Sequence, residues 1–189
     1  LQSEQEVNLQ AGDDTLKLMV LNPGKSDAVI YFGGNAEPVS FNAPEFTRHF
    51  ATHTIFLVNY RGYGGSSGKP SEQALLSDAL RVFDEVADDF QSVSVIGRSL
   101  GSGVATHVAA SRSIDRLVLV TPYDSVEQIA QKRFPFYPVS LMLKDKFRSD
   151  LNAAKIDIEV LVLIAEDDRI IPRVHSDNLV DALTRAEVT

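Results

Sequence analysis

Cysteine is absent from the 189 residues of this chain. Its absence excludes a disulfide framework, a thiolate nucleophile and zinc sites built on cysteine, while the redox compartment stays open. Histidine is scarce, and the four present show neither an H-E-x-x-H motif nor a comparable ligand spacing; they are His49, His53, His107 and His175. We therefore expect no metal site.

Long apolar runs and an excess of basic residues are missing too. No stretch approaches the roughly 20 apolar residues that a membrane-spanning helix needs. Acidic residues outnumber basic ones by 26 to 18, which gives a net charge of −8. Such a surface repels a phosphate backbone, so no nucleic-acid partner is expected. The chain starts at Leu1 rather than methionine. We expect that an upstream segment was removed, which leaves localisation, oligomeric state and membrane association through that segment open.

The residues that are present favour one globular domain over residues 1–189. Hydrophobic residues make up 44% and charged residues 23%, an ordinary globular balance. Short apolar runs alternate with stretches of helical periodicity. Strands are predicted near 7–10, 15–22, 27–34, 54–60, 92–97, 115–121 and 158–165, and helices near 38–50, 71–90, 99–111 and after Pro172.

This alternation is typical of an α/β fold, a mainly parallel central sheet with helices on both faces. Ligands of such sheets bind at the carboxyl ends of the strands, so the loops that follow the strands are where chemistry is expected. An irregular segment rich in aromatic residues and proline, residues 122–155, separates the last two predicted strands.

The sequence GRSLG, residues 97–101, lies between a predicted strand and a predicted helix. The G-x-S-x-G pattern in that context predicts a sharp turn that exposes Ser99 as a nucleophile at a helix N-terminus. The flanking glycines allow strand and helix to pass closely. The alternative is a serine that only caps the helix.

A second loop, GGNAEP, follows the strand predicted near 27–34. An oxyanion hole needs two N–H donors. The amide of Leu100 and one from this loop, Asn35 or Ala36, are the candidates. The alternative is a turn that only reverses the chain.

Three acids, Glu166, Asp167 and Asp168, follow the last predicted strand. A carboxylate there can orient a catalytic histidine, although solvated acids that cap the next helix would show the same pattern. Asp124, after the preceding strand, is a further candidate for this acid.

Together these stretches resemble the alpha/beta-hydrolase superfamily, in particular its single-domain serine hydrolases with an H-G-N-A loop and a Y-R-G-Y-G-x-S loop. Residues 33–36 stand at the first loop, 60–66 match the second, 97–101 match the elbow, and 165–172 fit a G-x-x-D-x-x-V-P segment. The last match selects Asp168 over Asp167. Gly33 stands where the family has a loop histidine, which puts the rigidity of that loop in question.

The resemblance implies a serine hydrolase that cleaves an ester, thioester or amide of a small-molecule or acyl substrate and requires no cofactor. Ser99 would attack, Asp168 would orient the histidine, and the amides of Asn35 and Leu100 would bind the oxyanion. Residues 122–155 would form a small lid with substrate contacts at Phe134, Phe136 and Tyr137. The alternative is a non-catalytic member that binds a ligand or a protein.

The family order of Ser, Asp and then His implies a catalytic histidine after Asp168. We expect it beyond Thr189, together with a final strand and a closing helix. His175 follows Asp168 by only seven residues, and we interpret it as a surface or packing residue. His107 lies about two turns into the helix that Ser99 begins, which is too deep for contact with the serine hydroxyl.

Overall fold

The structure is a computed structural model that describes residues 4–168 and 170–189. Its strands are β1 (Gln5–Ala11), β2 (Asp14–Leu21), β3 (Asp27–Phe32), β4 (His53–Val58), β5 (Ser92–Arg98), β6 (Arg116–Val120), β7 (Val160–Leu163) and β8 (Ala186–Val188). A 3₁₀ helix spans Val39–Asn42. The α-helices are α1 (Ala43–His49), α2 (Glu72–Ala87), α3 (Leu100–Ser111), α4 (Val126–Arg133), α5 (Val139–Met142), α6 (Ser149–Ala153) and α7 (Arg173–Ala182).

The described strands form one sheet in the order β1-β2-β4-β3-β5-β6-β7-β8. Among the described strands, β1 pairs with β2 and β2 with β4 in antiparallel fashion, whereas the other five pairs are parallel, so the predicted mainly parallel α/β fold is confirmed. Successive side chains of a strand point to opposite faces of the sheet. In β3, Ala28, Ile30 and Phe32 pack into the core on one face, and Val29 and Tyr31 pack into the core on the other. This double burial explains the continuous apolar run.

The C-terminal part of the sheet corrects one expectation. We expected the final strand beyond Thr189, but β8 lies within the chain and pairs in parallel with β7. Its three residues are all exposed, and such a short, polar stretch carries no strand periodicity. Residues 122–155 also contain three short helices, α4, α5 and α6, rather than irregular structure throughout. None of the described helices is both long and apolar enough to cross a bilayer.

The Y-R-G-Y-G-x-S loop follows β4 and is fixed to the sheet by Arg61. Its guanidinium makes ion pairs with Asp78 of α2 and Asp14 of β2. The Asp78 hydrogen bonds raise the pKa of Arg61. The Ser66 hydroxyl donates to the carbonyl of Asn59 at 2.9 Å and accepts from the amide of Lys17. These contacts fix the loop against β2 and α2 at the carboxyl end of β4.

Candidate active site

Ser99 lies between β5 and α3 in the sharp turn that the sequence predicts. Its φ of 50° and ψ of −118° are strained for a residue with a side chain. Both flanking glycines are required by close packing. A Cβ on Gly97 would overlap the Gly101 carbonyl oxygen, and a Cβ on Gly101 would overlap the carbonyl oxygen of Phe32.

Hydrogen bonds hold the strained turn in place. The Ser99 amide donates to the carbonyl of Val120 on β6 at 2.9 Å. The Ser99 carbonyl accepts from both the amide and the hydroxyl of Ser102, at 2.8 and 2.6 Å. The serine therefore stands at the N-terminus of α3, where the helix dipole favours negative charge.

The loop after β3 packs directly against this turn. A Cβ on Gly34 would lie 3.6 Å from the Cβ of Ser99. Asn35 follows, and within residues 4–168 and 170–189 no backbone carbonyl accepts its amide. The amide of Leu100 belongs to the first turn of α3, where N–H groups have no partner within the helix. Asn35 and Leu100 thus remain the candidates for the two N–H donors that an oxyanion site requires.

Glu37 holds the loop after β3 through hydrogen bonds that sequence reasoning missed. Its carboxylate accepts from the Gly34 amide at 2.6 Å, from the Tyr31 hydroxyl at 2.7 Å and from the Asn42 side-chain amide at 2.6 Å. The Arg98 guanidinium lies 3.6 Å away. Burial by itself raises the pKa of the Glu37 carboxyl, but the hydrogen bonds and the Arg98 charge outweigh it and hold that pKa below its ordinary value.

Gly33 therefore does not leave the loop without an anchor. Its carbonyl accepts a 2.9 Å hydrogen bond from the buried Tyr60 hydroxyl, and Glu37 fixes the next residue, Gly34. Hydrogen bonds with the side chains of Tyr60 and Glu37 therefore order this loop, although it lacks the histidine that the related serine hydrolases have at position 33.

Ser99 opens onto a cavity of about 490 Å³. Asn35 and Leu100 line it beside the serine, which places both proposed oxyanion residues at the same opening. Most of the other walls are apolar side chains from the second loop, from α2, from residues 122–155 and from the loop after β7. They are Tyr63, Leu75, Tyr123, Val126, Ile129, Leu143, Phe147, Ile170 and Ile171. The cavity suits an apolar substrate group.

Asp168 is not among the residues that line this cavity, but its carboxylate caps the loop after β7 that does. One oxygen of its carboxylate accepts the amides of Ile170 at 2.7 Å and Ile171 at 2.9 Å, and both isoleucines line the cavity. Glu166 and Asp167 are exposed. No group of three or more histidines and acids in the described part of the chain is arranged to hold a metal ion. The role of Asp168 as the triad acid stays a prediction.

His175 and Asp124 form a buried pair that the sequence analysis did not anticipate. His175 is only 4% exposed, so the surface interpretation is wrong. Its Nδ1 lies 2.9 Å from one oxygen of Asp124, and Asn178 donates to the other oxygen at 2.8 Å. Its Nε2 is buried without a hydrogen-bond partner among the described residues. Neither residue lines the Ser99 cavity, whereas a general base must lie within hydrogen-bond reach of the proton it takes.

This pair should stabilise the fold rather than act on the substrate. We expect Asp124→Asn to lower the free energy of unfolding by about 1–3 kcal/mol. Both carboxylate oxygens accept hydrogen bonds, from the Ser125 amide and His175 on one side and from Asn178 on the other. In the variant, the NH₂ group would replace one of these oxygens and face a donor. Urea unfolding measures this. Asp157→Asn, at a side chain that is 81% exposed, is the matched control and should change stability by less than about 0.5 kcal/mol. Unchanged stability with a loss of Ser99 reactivity would instead make Asp124 the triad acid.

The predicted substrate contacts lie beside the Ser99 cavity rather than in its wall. Phe134 and Tyr137 line a neighbouring groove, and Phe136 is 96% exposed. Leu143 and Phe147, further along the same segment, line the Ser99 cavity instead. The burial of Phe147 could not be predicted from the sequence, because the segment around it shows neither helical nor strand periodicity.

Comparisons with known proteins show the family to which this fold belongs. A sequence model of the alpha/beta hydrolase family matches residues 32–154. An uncharacterized protein of Mycobacterium tuberculosis is 33% identical over 164 residues, which cover 84% of this chain and 58% of that protein. Lysophosphatidylserine lipase ABHD12 of Danio rerio is 33% identical over 140 residues, 62% of this chain and 36% of that protein. The chain thus spans little more than half of the mycobacterial relative.

A solved structure shows the same fold. The Pyrococcus furiosus esterase Pf2001 superimposes with a TM-score of 0.73 at 17% sequence identity, and the match covers 100% of this chain and 80% of the esterase. Together with the family match over residues 32–154 and the 33% identity over most of the chain, this shows that the chain belongs to the alpha/beta hydrolase family.

Proposed function

We propose that this chain carries the active site of a serine hydrolase that cleaves a carboxylic ester, thioester or amide through an acyl-enzyme intermediate at Ser99. The observation that carries the proposal is the strained backbone of Ser99, with φ at 50°, at a mainly apolar cavity that Asn35 and Leu100 also line. Proteins keep such strain mainly where it serves function.

The residues have distinct roles in this reaction. The Ser99 oxygen attacks the carbonyl carbon, a C–O bond forms, and the C=O electron pair moves to the oxygen. The amides of Leu100 and Asn35 bind that oxyanion, and the loss of one such donor typically lowers turnover by about 10²–10³. Collapse of the intermediate expels the leaving group as it takes a proton. Water then attacks the acyl-enzyme and releases Ser99.

The reaction requires a base that takes the Ser99 proton. We propose an imidazole oriented by Asp168. Among the described residues, none of the four histidines lines the cavity, so an added imidazole is a direct means of testing the serine itself.

The substrate is proposed to carry an acyl chain. The cavity at Ser99 exposes mainly apolar side chains, and a relative that is 33% identical over part of its length is named a lysophosphatidylserine lipase. Both observations support an acyl ester over a polar amide. A member that binds a ligand without cleaving it remains the competing function, because the fold alone does not establish activity.

The test is covalent labelling of the 189-residue chain with a fluorophosphonate in the presence of imidazole. Intact mass and peptide mapping should show one phosphonyl group, on Ser99. Ser99→Ala should take up none, and Ser113→Ala, at an exposed serine beyond the end of α3, should label like the parent chain. A label on another serine, undiminished labelling of Ser99→Ala, or no labelling with imidazole present would reject the proposal.

A further inference from the structure

The segment from the end of α4 through α5 carries a concentration of exposed apolar side chains. We call residues 132–144 the lid segment. Five of its large hydrophobic side chains are more than half exposed: Phe134 52%, Phe136 96%, Tyr137 60%, Leu141 85% and Met142 66%. Single exposed apolar residues are normal on a protein surface, whereas such clusters mark sites of interaction.

The lid segment is an ordered surface rather than a loose loop. The Gln131 side chain donates to three carbonyls of the turn after α4, those of Phe134, Pro135 and Tyr137, at 3.2–3.4 Å. The rings of Phe134 and Tyr137 pack edge to face, with their centroids 6.4 Å apart. The side chain of Val139 is buried, only 7% exposed, and anchors α5 to the rest of the fold. The fold thus presents the aromatic side chains outward.

The lid segment is continuous with the candidate active site. A groove of about 390 Å³ runs along it, lined by Ala130, Phe134, Tyr137, Val139, Met142 and Leu143. Leu143 also lines the Ser99 cavity. An apolar surface therefore leads from the outside of the lid segment to the serine.

The charge of the lid segment is opposite to that of the rest of the chain. It contains Lys132, Arg133 and Lys144 and no acidic residue, so it carries +3 in a chain of net charge −8. All three cations are exposed. Within residues 4–168 and 170–189, none of them takes part in an ion pair.

We propose that the lid segment docks on an anionic phospholipid bilayer. Aromatic and aliphatic side chains insert at the boundary of headgroups and acyl chains, and the three cations contact lipid phosphates. The groove then faces the acyl chains, which gives a lipid a path toward Ser99. A symmetric pairing of two copies through this face would bring like charges together, which disfavours a second copy as the occupant. The proposal goes beyond the proposed function, because binding does not require cleavage.

The test is sedimentation of the 189-residue chain with vesicles. Binding should be strong to vesicles of equal parts phosphatidylcholine and phosphatidylserine, weak to phosphatidylcholine alone, and weakened by salt. Lys132→Glu/Lys144→Glu should reduce binding about tenfold or more. Its matched control is Lys25→Glu/Arg116→Glu, which makes the same charge change at exposed positions near the amino ends of β3 and β6. This control should bind the vesicles about tenfold more tightly than the lid variant.

A second variant tests the apolar part independently. Phe136→Ser/Leu141→Ser should reduce binding about tenfold, whereas Val7→Ser, at an exposed side chain of the edge strand β1, should bind like the parent chain. Ser99→Ala should also bind fully, which separates docking from catalysis. Equal binding to both vesicle types, no binding, or equal losses in lid and control variants would reject the proposal. A dimer in sedimentation velocity that only the lid variants abolish would reject it in favour of a second copy.

Discussion

Gly101→Ala should lower the free energy of unfolding by about 3 kcal/mol or more, beyond the usual range for overpacking by one carbon. A Cβ at this position would overlap the carbonyl oxygen of Phe32 and lie 2.6 Å from that of Gly33. Both obstacles are backbone atoms at the end of a central strand, so no side-chain rotation relieves them. Guanidinium unfolding followed by circular dichroism measures the loss.

Gly103→Ala is the matched control for this prediction, because it adds the same methyl group to the same helix. Its Cβ would meet the hydroxyls of Tyr123 and Ser149, and side chains can yield where backbone cannot. Both variants gain helix propensity of about 1 kcal/mol. We expect the Gly103 variant to lose clearly less stability. Equal losses, or a Gly101 variant as stable as the parent chain, would contradict the close crossing of strand and helix.

That crossing shows what the sequence could predict. The G-x-S-x-G pattern has a steric reason that is entirely local, because residues 97 and 101 must both lack a Cβ for β5 and α3 to pass. The buried strands were equally readable, since double burial in a parallel sheet leaves continuous apolar runs. Both signals arise within a dozen residues of chain.

Other features depend on partners that are distant in sequence. β8 forms because three exposed residues pair with β7. Since none of the three side chains is buried, the strand shows no alternation of apolar and polar residues that could predict it. Asp124 and His175 lie 51 residues apart. A signal was available for them, because Asp124 follows β6 and His175 follows β7, and the carboxyl ends of neighbouring parallel strands lie close together.

Glu37 was missed for a different reason. The resemblance gives a role to the histidine position that Gly33 occupies and gives none to the acid four residues later. A carboxylate three residues after Gly34 is well placed to accept its amide in a tight turn. A polar residue within the same loop thus takes the place of the histidine as its anchor.

Glu37→Ala should lower the rate of Ser99 phosphonylation by about 10²-fold, comparable to the loss of one oxyanion donor. The variant removes three hydrogen bonds from the segment that places the Asn35 amide. Glu37→Gln should lose about tenfold, because one of its amide hydrogens faces a donor where the carboxylate accepted. Glu45→Gln makes the same chemical change at an exposed residue of α1 and should react like the parent chain. Parent-like rates for both Glu37 variants would show that the loop needs no carboxylate.

The dependence of the unfolding free energy on acid pH separates the contribution of the Glu37 charge from that of its hydrogen-bond geometry. The pKa of Glu37 is held below its ordinary value in the folded chain, so its carboxylate contributes stability that is fully present above the ordinary glutamate pKa, about 4.3. This contribution falls as the pH drops below that value and through the lower folded pKa. Glu37→Gln has no such group to titrate. The difference in unfolding free energy between parent and Glu37→Gln should therefore be largest near neutral pH and shrink in acid. A difference that stays constant from neutral pH into acid would mean that hydrogen-bond geometry, and not the ionised carboxylate, orders the loop after β3.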